Sequence, residues 1–217
     1  MRAVIFDLWD TLVEWPVEEG ERLKRMLSEH LGVHGAEFER LWRESYRAQQ
    51  TGPLARAYGA LGLADRHVPA HVEARHEFGR RALRLRAGAA DAIRELRRRR
   101  LRVGLISVCS EEVPAVWPET ELAGLFDAET FSVDCGLMKP EPEIYLRTAE
   151  ELGVEPEECL FVGDGANDEL AGAARVGMTP VLFLPDGQRP FWRGLEDWAG
   201  LRVSTLAQVP ELLSAAS

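Results

Sequence analysis

The sequence predicts a doubly wound α/β fold: an open parallel sheet with helices on both faces, interrupted early by an all-helical insert. Three observations carry that prediction. The apolar runs Ala3-Val4-Ile5-Phe6, Val103-Gly104-Leu105-Ile106 and Cys159-Leu160-Phe161-Val162-Gly163 end in the polar residues Asp7, Ser107 and Asp164, as buried strands do when they run out into loops. After Gly88 helical and strand patterns alternate, which is the grammar of βαβ units. Between the first run and that alternation the periodicity is helical only.

The elements follow in order. The first strand closes at Asp7. In the insert, Leu23, Met26, Leu27 and Leu31 mark one helical face and Phe38, Leu41, Trp42 and Tyr46 another. Breaks at 32–35, 51–53 and 62–69, rich in Gly and Pro, divide the stretch into roughly four helices. Trp42 and Tyr46 read as core of this insert, and Trp15 as packing at its hinge. A helix to about Arg100, a strand to Ser107, short helices over 111–123 and a short strand over 128–132 come next. Pro142 suits the first turn of a helix whose buried face is Ile144, Tyr145, Thr148 and Leu152 and which Gly153 ends. The strand to Asp164 leads into a small-residue helix over 168–177, whose lack of bulk permits close packing on the sheet. A strand over 179–184, a loop with Trp192 and Trp198, a short strand over 201–203 and a closing helix over 205–213 complete the chain. The expected division is a core of 1–14 and 86–217 with an insert of 15–85.

At 217 residues and 46% hydrophobic, the chain can bury a substantial core. A formal net charge of −10 argues against a nucleic-acid or anionic-membrane binder, because such proteins neutralise phosphates with Lys and Arg. A small-molecule substrate is the remaining expectation. The arginine run at 97–100 reads as a solvated helix end whose cations suit the helix dipole. Cys109, Cys135 and Cys159 are an odd number without close pairing, and no charged-then-apolar leader or long apolar span precedes the first strand. A reducing, cytoplasmic setting is expected, while oligomeric state is not readable. His67, His71 and His76 invite a zinc reading, but Pro69 interrupts the first pair and no Glu completes a metalloprotease pattern. Cys109 has no evident His partner to make it a nucleophile.

In an open parallel sheet, ligands bind outside the carboxyl ends of the strands, so Asp7, Ser107 and Asp164 should converge on one crevice. The segments Asp7-Leu8-Trp9-Asp10-Thr11-Leu12, Ser107, Lys139-Pro140 and Phe161-Val162-Gly163-Asp164-Gly165-Ala166-Asn167-Asp168 resemble, in spelling, order and spacing, the signature motifs of the haloacid dehalogenase superfamily of aspartate-nucleophile hydrolases. A helical insert after the first motif resembles the class that carries its cap there. The resemblance implies a Rossmann-like core, an Asp7 that attacks phosphorus, and Mg²⁺ held by Asp7, Asp164 and the main-chain carbonyl of Trp9. It also implies a metal-shell role for Asp168, hydroxyl contacts from Ser107 and Thr11, and an ammonium from Lys139.

The chemistry asks for these residue types on its own account. A carboxylate attacks a dianionic ester in line only if their repulsion is cancelled, by a cation between them and by a compact ammonium such as Lys139. Asp7 and Asp164 offer the hard oxygen ligands that Mg²⁺ takes alongside several waters; Mn²⁺ is a permissible substitute. Asp168, read by itself, is equally an N-cap of the helix that begins there.

Trp9 is the departure. Phosphatases that this chain resembles carry a second Asp two residues after the nucleophile, which protonates the leaving alkoxide and then activates water. Trp does neither, and such help is worth about 10²–10⁴-fold. Three replacements are open: Asp10, a substrate with a good leaving group such as an acyl phosphate, or a group supplied by the cap. Similar enzymes lacking that Asp include 2-haloacid dehalogenases with Tyr, phosphonoacetaldehyde hydrolase with Ala and P-type ATPases with Thr. Dehalogenation needs no metal, and an unneutralised Asp164 would repel a haloacid carboxylate, although Arg40 and Arg43 of the cap are available to bind one. A Schiff-base hydrolase would need Lys24, the only lysine of the cap. The expected function is therefore Mg²⁺-dependent hydrolysis of small phosphorylated metabolites through an aspartyl-phosphate on Asp7. Carbon–halogen hydrolysis and a catalytically weak binding or regulatory role are the alternatives.

Overall fold

The computed structural model describes residues 1–213; the last four, 214–217, lie outside the described residues. Six strands form one sheet: β1 (Ala3–Asp7), β2 (Arg102–Ser107), β3 (Ala128–Phe131), β4 (Cys159–Gly163), β5 (Thr179–Phe183) and β6 (Leu201–Val203). Their order is β3-β2-β1-β4-β5-β6, and every pairing is parallel. A parallel sheet is covered on both faces, so its central strands read as unbroken apolar runs; every residue of β1 is buried. The α/β doubly wound class predicted from the sequence is the class observed.

Helices α5 (Ala89–Arg98), α6 (Glu112–Val116) and α10 (Gln208–Leu212) pack on one face, where Ala92, Ile93, Leu96, Val113 and Val209 meet Val4, Phe6, Val103 and Leu105. Helices α8 (Pro142–Leu152) and α9 (Glu169–Arg175) cover the other, with Ile144, Tyr145, Leu152, Leu170 and Ala173 against Ile5, Ile106 and Phe161. The small residues of α9 have a use: a Cβ at Gly172 would stand 2.6 Å from the Tyr145 hydroxyl. Gly153 ends α8 in the left-handed region, as the sequence indicates.

Between β1 and α5 lie α1 (Val17–Leu31), α2 (Gly35–Gln50), α3 (Leu54–Ala60) and α4 (Val68–Ala82). They share a core of their own, in which Leu27, Phe38, Leu54, Tyr58 and Leu63 are buried and Trp42 packs alongside. Leu23, Phe78 and Ala82 form a second cluster that receives Trp9 and Trp15 from the first motif's turn. Polar contacts tie the insert to the core. Arg75 of α4 is buried and donates to Ser110 and Glu112. The Leu54 N–H donates to Glu111 at 2.8 Å, and the hydroxyl of Ser132, at the start of α7 (Ser132–Cys135), donates to the Gln50 carbonyl at 2.7 Å. Arg47 of α2 pairs with Glu141 on the segment that carries Lys139.

The chain runs outward from β1 through β2 to β3, then crosses to place β4 on the opposite side of β1. The ends of β1 and β4 therefore flank the topological switch point, where a crevice opens between diverging connections. Phe6 lies opposite Val162, so Asp7 and Asp164 leave adjacent strand ends.

Candidate active site

Asp7 is the last residue of β1 and only 4% exposed. Lys139, carried in by the segment before α8, donates to Asp7 Oδ1 and to Glu169 Oε2, and both ion pairs are buried. Burial works against the ammonium's charge, but Asp7 and Glu169 outweigh it and hold Lys139 firmly protonated. The second oxygen of Glu169 accepts the Gly165 N–H at 2.9 Å. Gly163 makes room for that carboxylate, since a Cβ there would lie 2.1 Å from Glu169 Oε1.

Asp164 is the first residue beyond β4. Its Oδ1 accepts the Ala166 N–H at 3.1 Å, and its Oδ2 accepts the Trp192 indole N–H at 2.7 Å. Burial, and then the charge of Asp7, push its carboxyl up to about 6. Burial and Asp7 push Glu169 in the same direction. Ligand oxygens of Asp7, Asp164 and Glu169 all lie within 4.8 Å of one another, the one such acidic, His or Cys group among the described residues.

Two buried oxygens in this region, Asp7 Oδ2 and Thr11 Oγ1, have no hydrogen-bond partner, and Ser107 Oγ has at most the weak partner offered by the Cys109 thiol. A buried polar atom left unpaired costs about 1–3 kcal/mol, so unsatisfied oxygens at the end of β1 and in the turn after it suit a place built for a ligand.

The turn after β1 places the remaining residues of the first motif. Asp10 adopts a positive φ of 59°, and its Oδ1 accepts the Trp15 N–H at 2.9 Å. Its carboxylate thus closes the turn, a use that competes with serving Asp7. The Trp9 ring meets Trp15 edge-on at 4.9 Å and Phe78 at 6.1 Å, so it is engaged at the foot of the insert.

Asp168 departs from expectation. It is exposed, makes no side-chain cap bond to α9, and stands outside the carboxylate cluster. Its own φ of 57° and that of Asn167 at 51° turn the backbone so that Glu169, one residue later, is the side chain delivered inward. Tyr46 also differs from its reading as insert core. It lies one turn beyond Trp42, where its hydroxyl bonds the Asn167 side chain and its ring is within the field of Lys139 and Asp7; burial raises its phenol. Cys109 is buried with its thiol pushed up by that burial, which makes it inert. Of the histidines, His71 bonds His30 at 2.9 Å while His76 sits near Glu73 and Glu111, so the three do not converge.

A family model described as haloacid dehalogenase-like hydrolase matches residues 1–177. The chain belongs to the haloacid dehalogenase-like hydrolases. Among similar proteins is a glyceraldehyde 3-phosphate phosphatase of Methanopyrus kandleri, 29% identical over 197 residues, covering 83% of each chain. The fold resembles the HAD phosphatase of Thermococcus onnurineus, with a TM-score of 0.73, 24% identity and 98% of each chain covered. It resembles the 2-haloacid dehalogenase of Pseudomonas syringae nearly as closely, with a TM-score of 0.71, 22% identity and 100% of each chain covered.

Within this hydrolase, the donor set fits a hard divalent cation. Three carboxylates share one ammonium in a buried space, and the free oxygen of Asp7 faces no partner, so the cluster carries an excess of negative charge. Asp7 and Asp164 are the residues that would hold such an ion: Glu169 is paired with the Lys139 ammonium, whereas Asp164 accepts only from the neutral N–H groups of Ala166 and Trp192, and Asp7 Oδ2 from none.

Glu169 and Trp192 were not read from the sequence as site residues. A Glu in the first turn of a helix ordinarily serves the helix dipole, and the only available signal was its place one turn before Ala173 on the same face. Trp192 lies in a loop, which carries no periodicity to read. Lys24, by contrast, pairs with Glu21 at 3.2 Å and lies over the Trp42 ring, and Arg40 is exposed and paired with Glu44. Arg43, the other arginine offered for a carboxylate, is also exposed. No helix among the described residues is long and apolar enough to cross a membrane.

Proposed function

We propose that this hydrolase is a phosphatase of small phosphorylated metabolites, in which Asp7 is the nucleophile and residues 15–85 form a cap over the crevice. The observation that carries the reading is the set of buried oxygens on Asp7, Thr11 and Ser107 that no strong hydrogen bond satisfies, set against a buried ammonium. A phosphoryl group would satisfy all three: its phosphorus meets Asp7 Oδ2, and its peripheral oxygens accept from the Thr11 and Ser107 hydroxyls. Lys139 already holds Asp7 Oδ1, which orients the other oxygen for in-line attack and offsets charge on the transferring group. Mg²⁺ bound by Asp7 and Asp164, with the Trp9 main-chain carbonyl, would supply the charge neutralisation that lets a carboxylate approach a dianion.

Attack forms a bond from Asp7 to phosphorus and expels the leaving group; water then cleaves the acyl phosphate and restores Asp7. Trp9 gives this cycle no proton relay, and Asp10 is held by Trp15. Good leaving groups should therefore dominate. Acyl phosphates and aryl phosphates are expected to exceed simple alkyl phosphates by about 10²-fold or more, the usual worth of general acid help.

The test is phosphate release from a panel of sugar phosphates, nucleotides and acyl phosphates, with and without Mg²⁺. Release is expected to require the ion, to vanish in Asp7→Asn and to survive Trp9→Ala. Release that persists in Asp7→Asn, or none from any substrate, sinks the phosphatase reading; halide release is then the next assay.

A further inference from the structure

The segment between β5 and β6 makes two contacts with the turn after β4, one of them to a carboxylate of the cluster. The half-buried Trp192 reaches 28 residues back along the chain to give its indole N–H to Asp164 Oδ2 at 2.7 Å. Leu195 lies so close on the turn after β4 that a Cβ at Gly165 would stand 2.2 Å from its Cδ1. The segment's other tryptophan, Trp198, satisfies its indole locally on the Leu201 carbonyl at 2.9 Å. Phe191, next to Trp192, is 86% exposed, so the segment is not there to bury that ring.

We propose that Trp192 is a positioning residue for the cation site: its indole N–H fixes the Asp164 carboxylate in the orientation in which it is presented to a divalent ion. The proposal rests on the reading of Asp7 and Asp164 as the ion's ligands. Two donors approach Asp164 from different parts of the fold, Ala166 from its own turn and Trp192 from the segment between β5 and β6, and together they leave the carboxylate little freedom to rotate. An indole suits the task because it donates one hydrogen bond and carries no charge. An Arg or Lys in its place would compete with the ion for the carboxylate. Partners of metal-binding carboxylates that donate in this way are worth about 10–100-fold in metal affinity.

Mg²⁺ binding is measured by calorimetry on the unsubstituted protein, Trp192→Phe, Trp198→Phe and Asp164→Asn. Trp192→Phe keeps the ring and removes the donor; it is expected to weaken Mg²⁺ about 10–100-fold, with Trp198→Phe unchanged. In the unsubstituted protein labelled with 5-fluorotryptophan, the fluorine resonance that is missing from Trp192→Phe is expected to shift when Mg²⁺ is added. That readout needs no variant to bind or turn over. Equal affinity in Trp192→Phe and unsubstituted protein, or a Trp192 resonance indifferent to the ion, overturns the proposal while leaving the metal site intact. Absence of Mg²⁺ binding by the unsubstituted protein overturns the metal site and the proposal together.

Discussion

At Gly163 a single missing atom decides the geometry of the site. The carboxylate of Glu169 occupies the space a side chain would take, with one oxygen on the Gly165 N–H and the other on Lys139. A methyl group there cannot be accommodated by swinging the carboxylate aside, because both of its bonds would break and Lys139 would lose one of its two anionic partners. Gly163→Ala is expected to cost about 1–3 kcal/mol of stability, the usual penalty of overpacking. It should lower phosphate release by on the order of 10²-fold, as displacement of a positioned group by about 1 Å does. Denaturant unfolding and phosphate release check the two halves, and unchanged release would mean that the Glu169 clamp has no catalytic use. The same region shows what the sequence could reveal. Asp7, Ser107 and Asp164 were legible as strand-end positions because each stands at or just past the end of an apolar run. Glu169 was hidden because the inward turn depends on positive φ at Asn167 and Asp168, a backbone choice that polar residues in a loop do not announce.

At the scale of elements, α4 is the insert's main attachment, and Arg75 is its buried point. The guanidinium lies 7% exposed and its partner Glu112 2% exposed by side chain, with the Ser110 hydroxyl bridging to both. Arg75→Ala would leave Glu112 buried without a counter-charge, and the expected loss is about 3–5 kcal/mol. Arg75→Met with Glu112→Leu should recover much of it, because replacing both ions by apolar groups removes the desolvation cost along with the attraction. Urea midpoints of the single and double variants decide the point; a double variant no more stable than Arg75→Ala would show that the pair is worth more than its packing. Helix boundaries were read to within a few residues, and the closing helix is shorter at Gln208–Leu212 than the apolar pattern over 205–213 suggested. The Arg75 latch was not legible, since a lone Arg on α4 is indistinguishable in sequence from its exposed neighbours Arg80 and Arg81.

Across the whole molecule, the insert and the sheet are joined by that latch, so instability in one is felt by the other. His71 of α4 makes this testable through pH. It is 2% exposed, bonds His30, meets the Tyr58 ring edge-on at 5.7 Å, and shares its surroundings with His67, which stacks on His30 at 4.2 Å. Burial first, then the neighbouring imidazoles, lower its pKa to about 4. In the unfolded chain the same group titrates near 6.5. Between these values the unfolded state binds a proton that the folded state refuses, so stability rises with pH there. The contribution is complete above about pH 6.5 and is lost as pH falls toward about 4, with a slope of at most about 1.4 kcal/mol per pH unit. Unfolding midpoints between about pH 7 and about pH 4.5 should therefore fall more steeply in the unsubstituted protein than in His71→Gln. Equal slopes would show that acid acts elsewhere. The shape of the transition carries the second half of the argument. If Arg75 couples insert to sheet, acid unfolding stays a single transition, and in Arg75→Ala it separates into an early step at the insert and a later one at the sheet.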